Sequence, residues 1–162
     1  VRIAICGGPR TGKSTLARKL ATGGPIFCTD PRGLVKDLEQ GVEYVPDDFA
    51  DWSDASQYVA DVFLMRPGPW VLDGVGVARA LRKWRILHPG APPPVDRLIV
   101  LTVPHRELLP GQERMTKGVM SVLGELDAWL AEVIEWRGDG VCPADNAPRH
   151  RYQSAAADGV RY

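Results

Sequence analysis

A chain of 162 residues has the length of about one domain, and its 44% apolar and 25% charged content lies near the globular average, which excludes disorder of the whole. Its 20 basic and 20 acidic side chains cancel to a formal net charge of zero, so no global field draws it to nucleic acid or to an anionic membrane. No apolar run approaches the roughly 20 residues that a membrane span needs, and a soluble, cytoplasmic protein without membrane contact is expected.

Residues 1 to 6, VRIAIC, read as a short buried strand ended by Gly7-Gly8-Pro9, too short and too soon broken by glycine to be a signal peptide. A helical pattern follows from Lys13 to about Ala21, with Leu16, Ala17 and Leu20 on one face, and Gly23-Gly24 stops it. Pro25 to Cys28 resumes as a second strand. Residues 31 to 41 read as a weaker helix, entered through Pro31 and closed by Gly41. From Trp52 to Met65 the apolar positions Trp52, Tyr58, Val59, Val62 and Phe63 recur at helical spacing until Pro67-Gly68-Pro69 breaks them. Trp70 to Leu72 is a third strand ended by Asp73-Gly74. A basic helix from Val77 to Leu87 directs Leu81, Trp84 and Leu87 to the core, and Pro89 to Pro94 is a rigid connector rather than a domain boundary. Leu98 to Val103 is a strand whose near-continuous apolarity predicts burial on both faces. Beyond it Met115, Val119, Val122, Leu126, Trp129, Val133 and Trp136 trace one face of a single long helix, and the tail after Gly138 reads as loop with at most one edge strand. Strands alternating with helices predict one α/β domain over residues 1 to 162, a parallel sheet covered on both sides.

Charge is unevenly spread. Every charged residue from Asp37 to Asp61 is acidic, and every one from Arg79 to Arg85 is basic (Arg79, Arg82, Lys83, Arg85), a run that either tracks a phosphate backbone or forms a solvated helix face. Cys6, Cys28 and Cys142 are far apart with no metal-ligand spacing, and the first two sit in strands, so buried thiols in a reducing compartment are expected. His105 and His150 have no carboxylate or cysteine at useful spacing and read as surface residues.

The most informative segment is Gly7-Gly8-Pro9-Arg10-Thr11-Gly12-Lys13-Ser14, which fits G-x-x-x-x-G-K-[ST] and stands between a strand and a helix, the context that this pattern requires. Gly7 and Gly12 permit backbone conformations in which successive N–H groups face an anion, and the helix that starts near Lys13 adds the positive end of its dipole. Lys13 supplies a point charge to the β- and γ-phosphates, Ser14 offers a hydroxyl to magnesium, and Thr15 adds a phosphate contact. Arg10 inside the loop either touches phosphate or is merely solvated.

The run Gly-Gly-Pro-Arg-Thr-Gly-Lys-Ser-Thr at 7 to 15, with Trp-Val-Leu-Asp-Gly at 70 to 74, resembles the nucleotide-kinase group of P-loop proteins, which includes adenylate, thymidylate and polynucleotide kinases. The likeness spans roughly residues 1 to 120. It implies a three-layer P-loop NTPase fold with a parallel sheet of about five strands in the order 2-3-1-4-5, ATP as donor, Mg2+ as cofactor, and a basic lid at about residues 104 to 118. It further implies that Asp73 and Ser14 hold the magnesium, although a strand-ending Asp-Gly turn explains Asp73 as well. Asp30 is implied to face the acceptor and take the proton of an attacking hydroxyl, with Arg32 steadying the acceptor; a helix cap before Pro31 is the other reading of Asp30. Arg106, Arg114 and Lys117 are implied to neutralise transition-state charge from the lid, although a solvated helix start explains Arg114 and Lys117 equally well. Asp145-Asn146-Ala147-Pro148 falls where a late loop approaches adenine in such kinases.

One departure bears on the acceptor. Monophosphate kinases of this type often place an arginine within two or three residues of Asp-Gly, whereas here Val75-Gly76-Val77-Ala78 intervene before Arg79. Bacteriophage kinases that phosphorylate hydroxymethylpyrimidines in DNA resemble this chain in size and opening motif. The leading expectation is therefore γ-phosphate transfer from ATP to a hydroxyl on a nucleotide or DNA base, 5-hydroxymethyluracil in phage DNA being one case, in a host cytoplasm if phage-encoded. A nucleoside monophosphate kinase is the alternative, and a P-loop ATPase module is a third reading, disfavoured because Gly74 rather than glutamate follows Asp73. The sole asparagine, Asn146, excludes the Asn-Lys-x-Asp guanine motif. Oligomeric state is not legible in the sequence.

Overall fold

The computed structural model describes residues 1–46, 48 and 51–138. Its chain order is β1 (Arg2–Gly7), α1 (Lys13–Leu20), β2 (Ile26–Pro31), β3 (Val42–Val45), α2 (Trp52–Tyr58), β4 (Trp70–Asp73), α3 (Val77–Leu87), β5 (Arg97–Leu101), α4 (Gln112–Glu125), α5 (Asp127–Leu130) and β6 (Ile134–Arg137). All described strand pairs are parallel, and the sheet has six strands in the order β3-β2-β4-β1-β5-β6. This is an α/β architecture with helices on both faces of the sheet. The expected five-strand order survives within it as β2-β4-β1-β5-β6, and β3 adds a sixth strand at one edge.

The alternation of side chains along each strand divides the core in two. Ala4 and Cys6 of β1, Leu98 and Val100 of β5, Phe27 and Leu72 face a large cluster with Val59, Phe63, Leu81, Trp84, Val119, Leu123 and Leu130. Ile3, Ile5, Val71, Ile99 and Leu101 face a smaller one with Leu16 and Ala17 of α1. Thus α1 covers one face, and α2 to α5 cover the other. Each half of β5 is sealed, Leu98 to Leu101 all being at most 1% exposed, which is the two-sided burial that its apolar run predicts. Cys6 and Cys28 are buried free thiols.

Four boundaries differ from expectation. The helix predicted over 31 to 41 is only a 3-10 turn at Arg32–Leu34, and β3 follows. Gly33 weakens a helix there, and the open edge of β2 pairs with Val42–Val45 instead, with one register shift between Phe27 and Pro31. The single long helix through Trp136 is three elements: α4 ends at Glu125, α5 is short, and Ile134–Arg137 pairs with β5. Ile134 and Trp136 satisfy a helical spacing and a strand alternation equally, and the free edge of β5 decides between them. The helix predicted to Met65 passes after Tyr58 into an i to i+5 turn at Val59–Phe63, with the Leu64 N–H donating to the Val59 carbonyl at 3.0 Å. The strand predicted to Val103 stops at Leu101, and Leu87, expected in the core, is 51% exposed at the end of α3.

Candidate functional site

The register of the sheet sets the site. Asp73, the last residue of β4, stands beside Ile5 of β1 and Cys28 of β2. Gly7 lies two residues beyond Ile5, and Asp30 two residues beyond Cys28, so the ends of three adjacent strands bring the residue 7–15 loop, Asp30 and Asp73 to the carboxyl edge of the sheet. The connection after β1 leaves to one face and those after β3, β4 and β5 to the other. That divergence leaves an opening at this edge, where ligands of open α/β sheets commonly bind.

The loop is shaped by glycine where its backbone requires it. Gly7 and Gly12 have φ of 152° and 86°, and Gly12 forms the left-handed entry to α1. A Cβ on Gly7 would collide with the Leu101 carbonyl oxygen, and one on Gly8 with the Thr116 hydroxyl of α4, so strand β5 and helix α4 press directly on the loop. Arg10 also adopts a left-handed conformation, at φ 62°. Its carbonyl accepts from the His105 N–H at 2.7 Å, and its guanidinium donates to the Glu107 carbonyl at 3.2 Å. The Arg10 side chain is therefore turned to the 104–107 segment. Thr11 is buried and donates to the Gly8 carbonyl at 2.9 Å.

Lys13, the first residue of α1, donates through Nζ to the same Gly8 carbonyl at 2.7 Å and lies 3.5 Å from Thr11 Oγ1. Its ammonium spans the mouth of the loop. Burial holds its pKa below the ordinary lysine value, opposed first by the negative charge of Asp73 and then by weaker influences that include Asp30. Asp73 is 3% exposed, and burial pushes its carboxyl up to about 6 against a hydrogen bond from Ser14 and the charge of Lys13. Asp30 is likewise raised by burial, against the pull of Lys13, and its Oδ1 is buried with no hydrogen-bond partner among the described residues. Cys28 sits between the two carboxylates, its thiol pushed well above the usual range by burial and by the charges of Asp30 and Asp73. Burial also pushes Cys6 up to about 11. Both thiols are inert neutral neighbours.

Ser14, Asp73, Lys13 and Asp30 are thus brought together at one edge of the sheet. Asp30 caps no helix, because it belongs to β2 and only a 3-10 turn without a side-chain cap follows. Arg32 is exposed on that turn. Ser14 and Thr15 are exposed on the first turn of α1, and Pro9 is half-buried in the loop. Arg114 lies on the first turn of α4, where Arg106 and Lys117 nearby are solvent-exposed. The segment predicted as a lid over 104 to 118 is irregular up to Gly111 and helical from Gln112. The predicted adenine contact at 145 to 148, with Cys142 and His150, lies outside the described residues. Sequence reasoning missed Thr29, whose buried hydroxyl accepts from the Gly76 N–H at 3.1 Å and holds the turn after Asp73; its position next to Asp30 was the available signal.

The basic run on α3 is mostly engaged within the protein. Arg82 meets Glu125 at 3.4 Å, Lys83 donates to the Ser53 carbonyl and to its hydroxyl, and Arg85 lies 5.5 Å from the Trp129 ring centroid. These three are committed, which argues against the helix as a track for a phosphate backbone.

The residues fit an anion with a hard cation. A loop with no room for a Cβ at Gly7 or Gly8 and an ammonium across its mouth suit an anion, and the Ser14 hydroxyl hydrogen-bonded to the Asp73 carboxylate offers oxygen donors suited to Mg2+. Among the described residues no group of three or more His, Cys, Asp or Glu is placed to hold a metal ion. No described helix is long and apolar enough to cross a membrane. Comparison with models of known protein families, with curated proteins and with solved structures finds no match, so what this site does must be read from its own residues.

Proposed function

We propose that this chain is a P-loop phosphotransferase that passes the γ-phosphate of ATP to a hydroxyl on a nucleotide or DNA base, hydroxymethylated pyrimidine being one such acceptor. The observation that carries this reading is the convergence of Lys13, Asp73 and Asp30 beside the Gly7–Thr15 loop at the carboxyl edge of the sheet. Backbone N–H groups of Gly8 and of residues 10 to 15 bind the triphosphate, Pro9 having none, and Lys13 exchanges the Gly8 carbonyl for a phosphate oxygen. Ser14 and Asp73 are the residues that hold Mg2+, which when bound neutralises charge on the transferring phosphoryl group. Asp30 has an unsatisfied buried oxygen, and burial raises its pKa, so its carboxylate is a stronger proton acceptor for a hydroxyl than an exposed aspartate. As that proton moves to Asp30, the acceptor oxygen bonds to the γ-phosphorus, and the bond to the β-bridging oxygen breaks to release ADP.

The runner-up is a monophosphate acceptor. It is favoured by Arg79 and Arg114, which line one cavity without a hydrogen-bond or ion-pair partner among the described residues. A transfer assay with γ-labelled ATP over nucleosides, monophosphates, and plain and hydroxymethylated DNA separates the two. Label on a hydroxyl, lost by at least about 100-fold in Lys13→Ala and in Asp30→Asn, is the expected result. Label on monophosphates alone replaces the hydroxyl reading with the runner-up. Full activity in Lys13→Ala defeats both.

A further inference from the structure

Asp30 and Asp73 end neighbouring strands, and the sheet pins them unequally. Asp73 is the last residue of β4 and is paired on both sides, with Ile5 of β1 and Cys28 of β2. Asp30 lies beyond the pairing of β2 with β4, whose last registered partners are Cys28 and Asp73. On its other side the β2–β3 ladder shifts register between Phe27 and Pro31. The ladders therefore fix Cys28 and Pro31 and leave the two residues between them, Thr29 and Asp30, without a registered strand partner. The Asp30 carboxyl adds little anchorage of its own. Its Oδ1 is buried with no hydrogen-bond partner among the described residues, and the Cys28 thiol beside the carboxyl is a weak donor.

Thr29 supplies the attachment that the ladders omit. Successive side chains of a strand point to opposite faces, so Thr29 points away from the Asp30 carboxyl and towards the turn that follows Asp73. Its side chain is buried, and its Oγ1 accepts from the Gly76 N–H at 3.1 Å. Gly76 opens α3, which has no side-chain cap of its own, so the bond satisfies a donor that the helix leaves over. The fit around the hydroxyl is close. A Cβ on Gly74 would collide with Thr29 Oγ1, and one on Gly76 would press on the same side chain at 3.1 Å. Gly74 also takes a φ of 139°, open to glycine and strained for other residues. Two glycines thus leave a notch, and one threonine side chain fills it.

We infer that Thr29 is a positioning residue for the phosphate transfer: by anchoring the end of β2 in the Gly74–Gly76 notch, it sets Asp30 at a fixed place against Asp73 and Lys13. Its part in transfer rests on the phosphotransferase reading; the anchoring does not. A base acts only within hydrogen-bond reach of the proton it takes, and a misplacement of about 1 Å costs on the order of 100-fold in rate. Thr29 itself is buried on the opposite face of β2 and takes no proton. Its whole effect on transfer therefore passes through Asp30.

Thr29→Val keeps the branched shape and removes the acceptor, and Thr29→Ser keeps the acceptor and removes the methyl group. With γ-labelled ATP, and thymidine and hydroxymethylated DNA as hydroxyl acceptors, Thr29→Val should lower kcat at least about tenfold and leave the KM for Mg·ATP within about twofold. Thr29→Ser should recover kcat to within about threefold of the parent. In an Asp30→Asn background, Thr29→Val should cost less than about twofold, because the group that it positions is already gone. Crystals of the full chain without ligand give a readout free of activity. Asp30 should move by about 1 Å relative to Asp73 in Thr29→Val and stay in place in Thr29→Ser. Should Thr29→Val fail to fold, Thr29→Ala, which leaves room for water at the Gly76 N–H, replaces it in each arm. The inference is overturned if the variant keeps the parent's kcat, if its loss persists in full over Asp30→Asn, or if its crystals show Asp30 unmoved. A parent chain that labels neither acceptor defeats the hydroxyl-transfer reading instead, and the crystals then decide the anchoring alone.

Discussion

Asp73 concentrates the electrostatics of the site in one carboxyl group. It is sealed between β1 and β2, and burial raises its pKa to about 6 although Ser14 and Lys13 both favour its charged form. The folded chain thus holds a proton that the unfolded chain has released between about pH 4 and pH 6. Stability is highest below that window and falls as pH rises through it, by roughly 3 kcal/mol at 1.36 kcal/mol per unit. Asp30, also raised, adds in the same direction. Urea denaturation of the chain without metal or nucleotide should follow this slope, and Asp73→Asn should flatten it; an unchanged slope in the variant would remove Asp73 as its source. At this scale the motif residues were legible because they are contiguous: Gly7 to Thr15 carry their chemistry in their order. The partnership of Asp30 with Lys13 was legible only by likeness, and the Thr29 hydroxyl not at all, because what a side chain meets depends on which strand lies next to it.

Between elements, the extra turn at Val59–Phe63 has a visible consequence. It sets Phe63 flat against Phe27 of β2, ring centroids 4.7 Å apart and planes 8° from parallel, with Trp70 6.1 Å from Phe27 on the next strand. Phe27 and Phe63 are both fully packed, at 2% and 0% exposure. Phe27→Ala should cost about 3–5 kcal/mol in transfer and cavity energy, read as a shift in the urea midpoint with unchanged slope. A loss below about 1 kcal/mol would mean that this junction between α2 and the sheet is not a rigid part of the core. Helical periodicity located α1, α3 and the start of α2 well, since each carries one apolar face. It failed at Ile134–Arg137, where two periods coincide over four residues, and at Val42–Val45, whose reason to be a strand is the unpaired edge of β2.

Across the whole molecule, the sheet also buries charge. Glu135 and Arg137 of β6 are each 5% exposed, and Glu135 meets Arg97 at 3.0 Å and Arg137 at 3.5 Å. Removing one member strands the opposite charge in the interior, so Glu135→Ala should lower stability by about 3–5 kcal/mol. Chemical denaturation of the variant measures this, and a midpoint equal to that of the parent would show that the pair is solvated in practice. Glu135 and Arg137 stand two residues apart on β6, but nothing in residues 134 to 137 announced that their pair is buried, because that depends on pairing with β5, which also brings in Arg97 from 38 positions away. The same distinction runs through the protein. The local order of residues was sufficient for the alternation of strands and helices, for the glycine loop before a lysine and for the carboxylate that ends a strand, since each is a short-range consequence of backbone freedom and apolar spacing. Which strands became neighbours was decided by tertiary pairing, and with it the meeting of residues 13, 30 and 73 and the cavity between residues 79 and 114. Those proximities join distant parts of the chain through hydrogen-bonded edges and packed faces, and such pairings leave no period in the sequence to read.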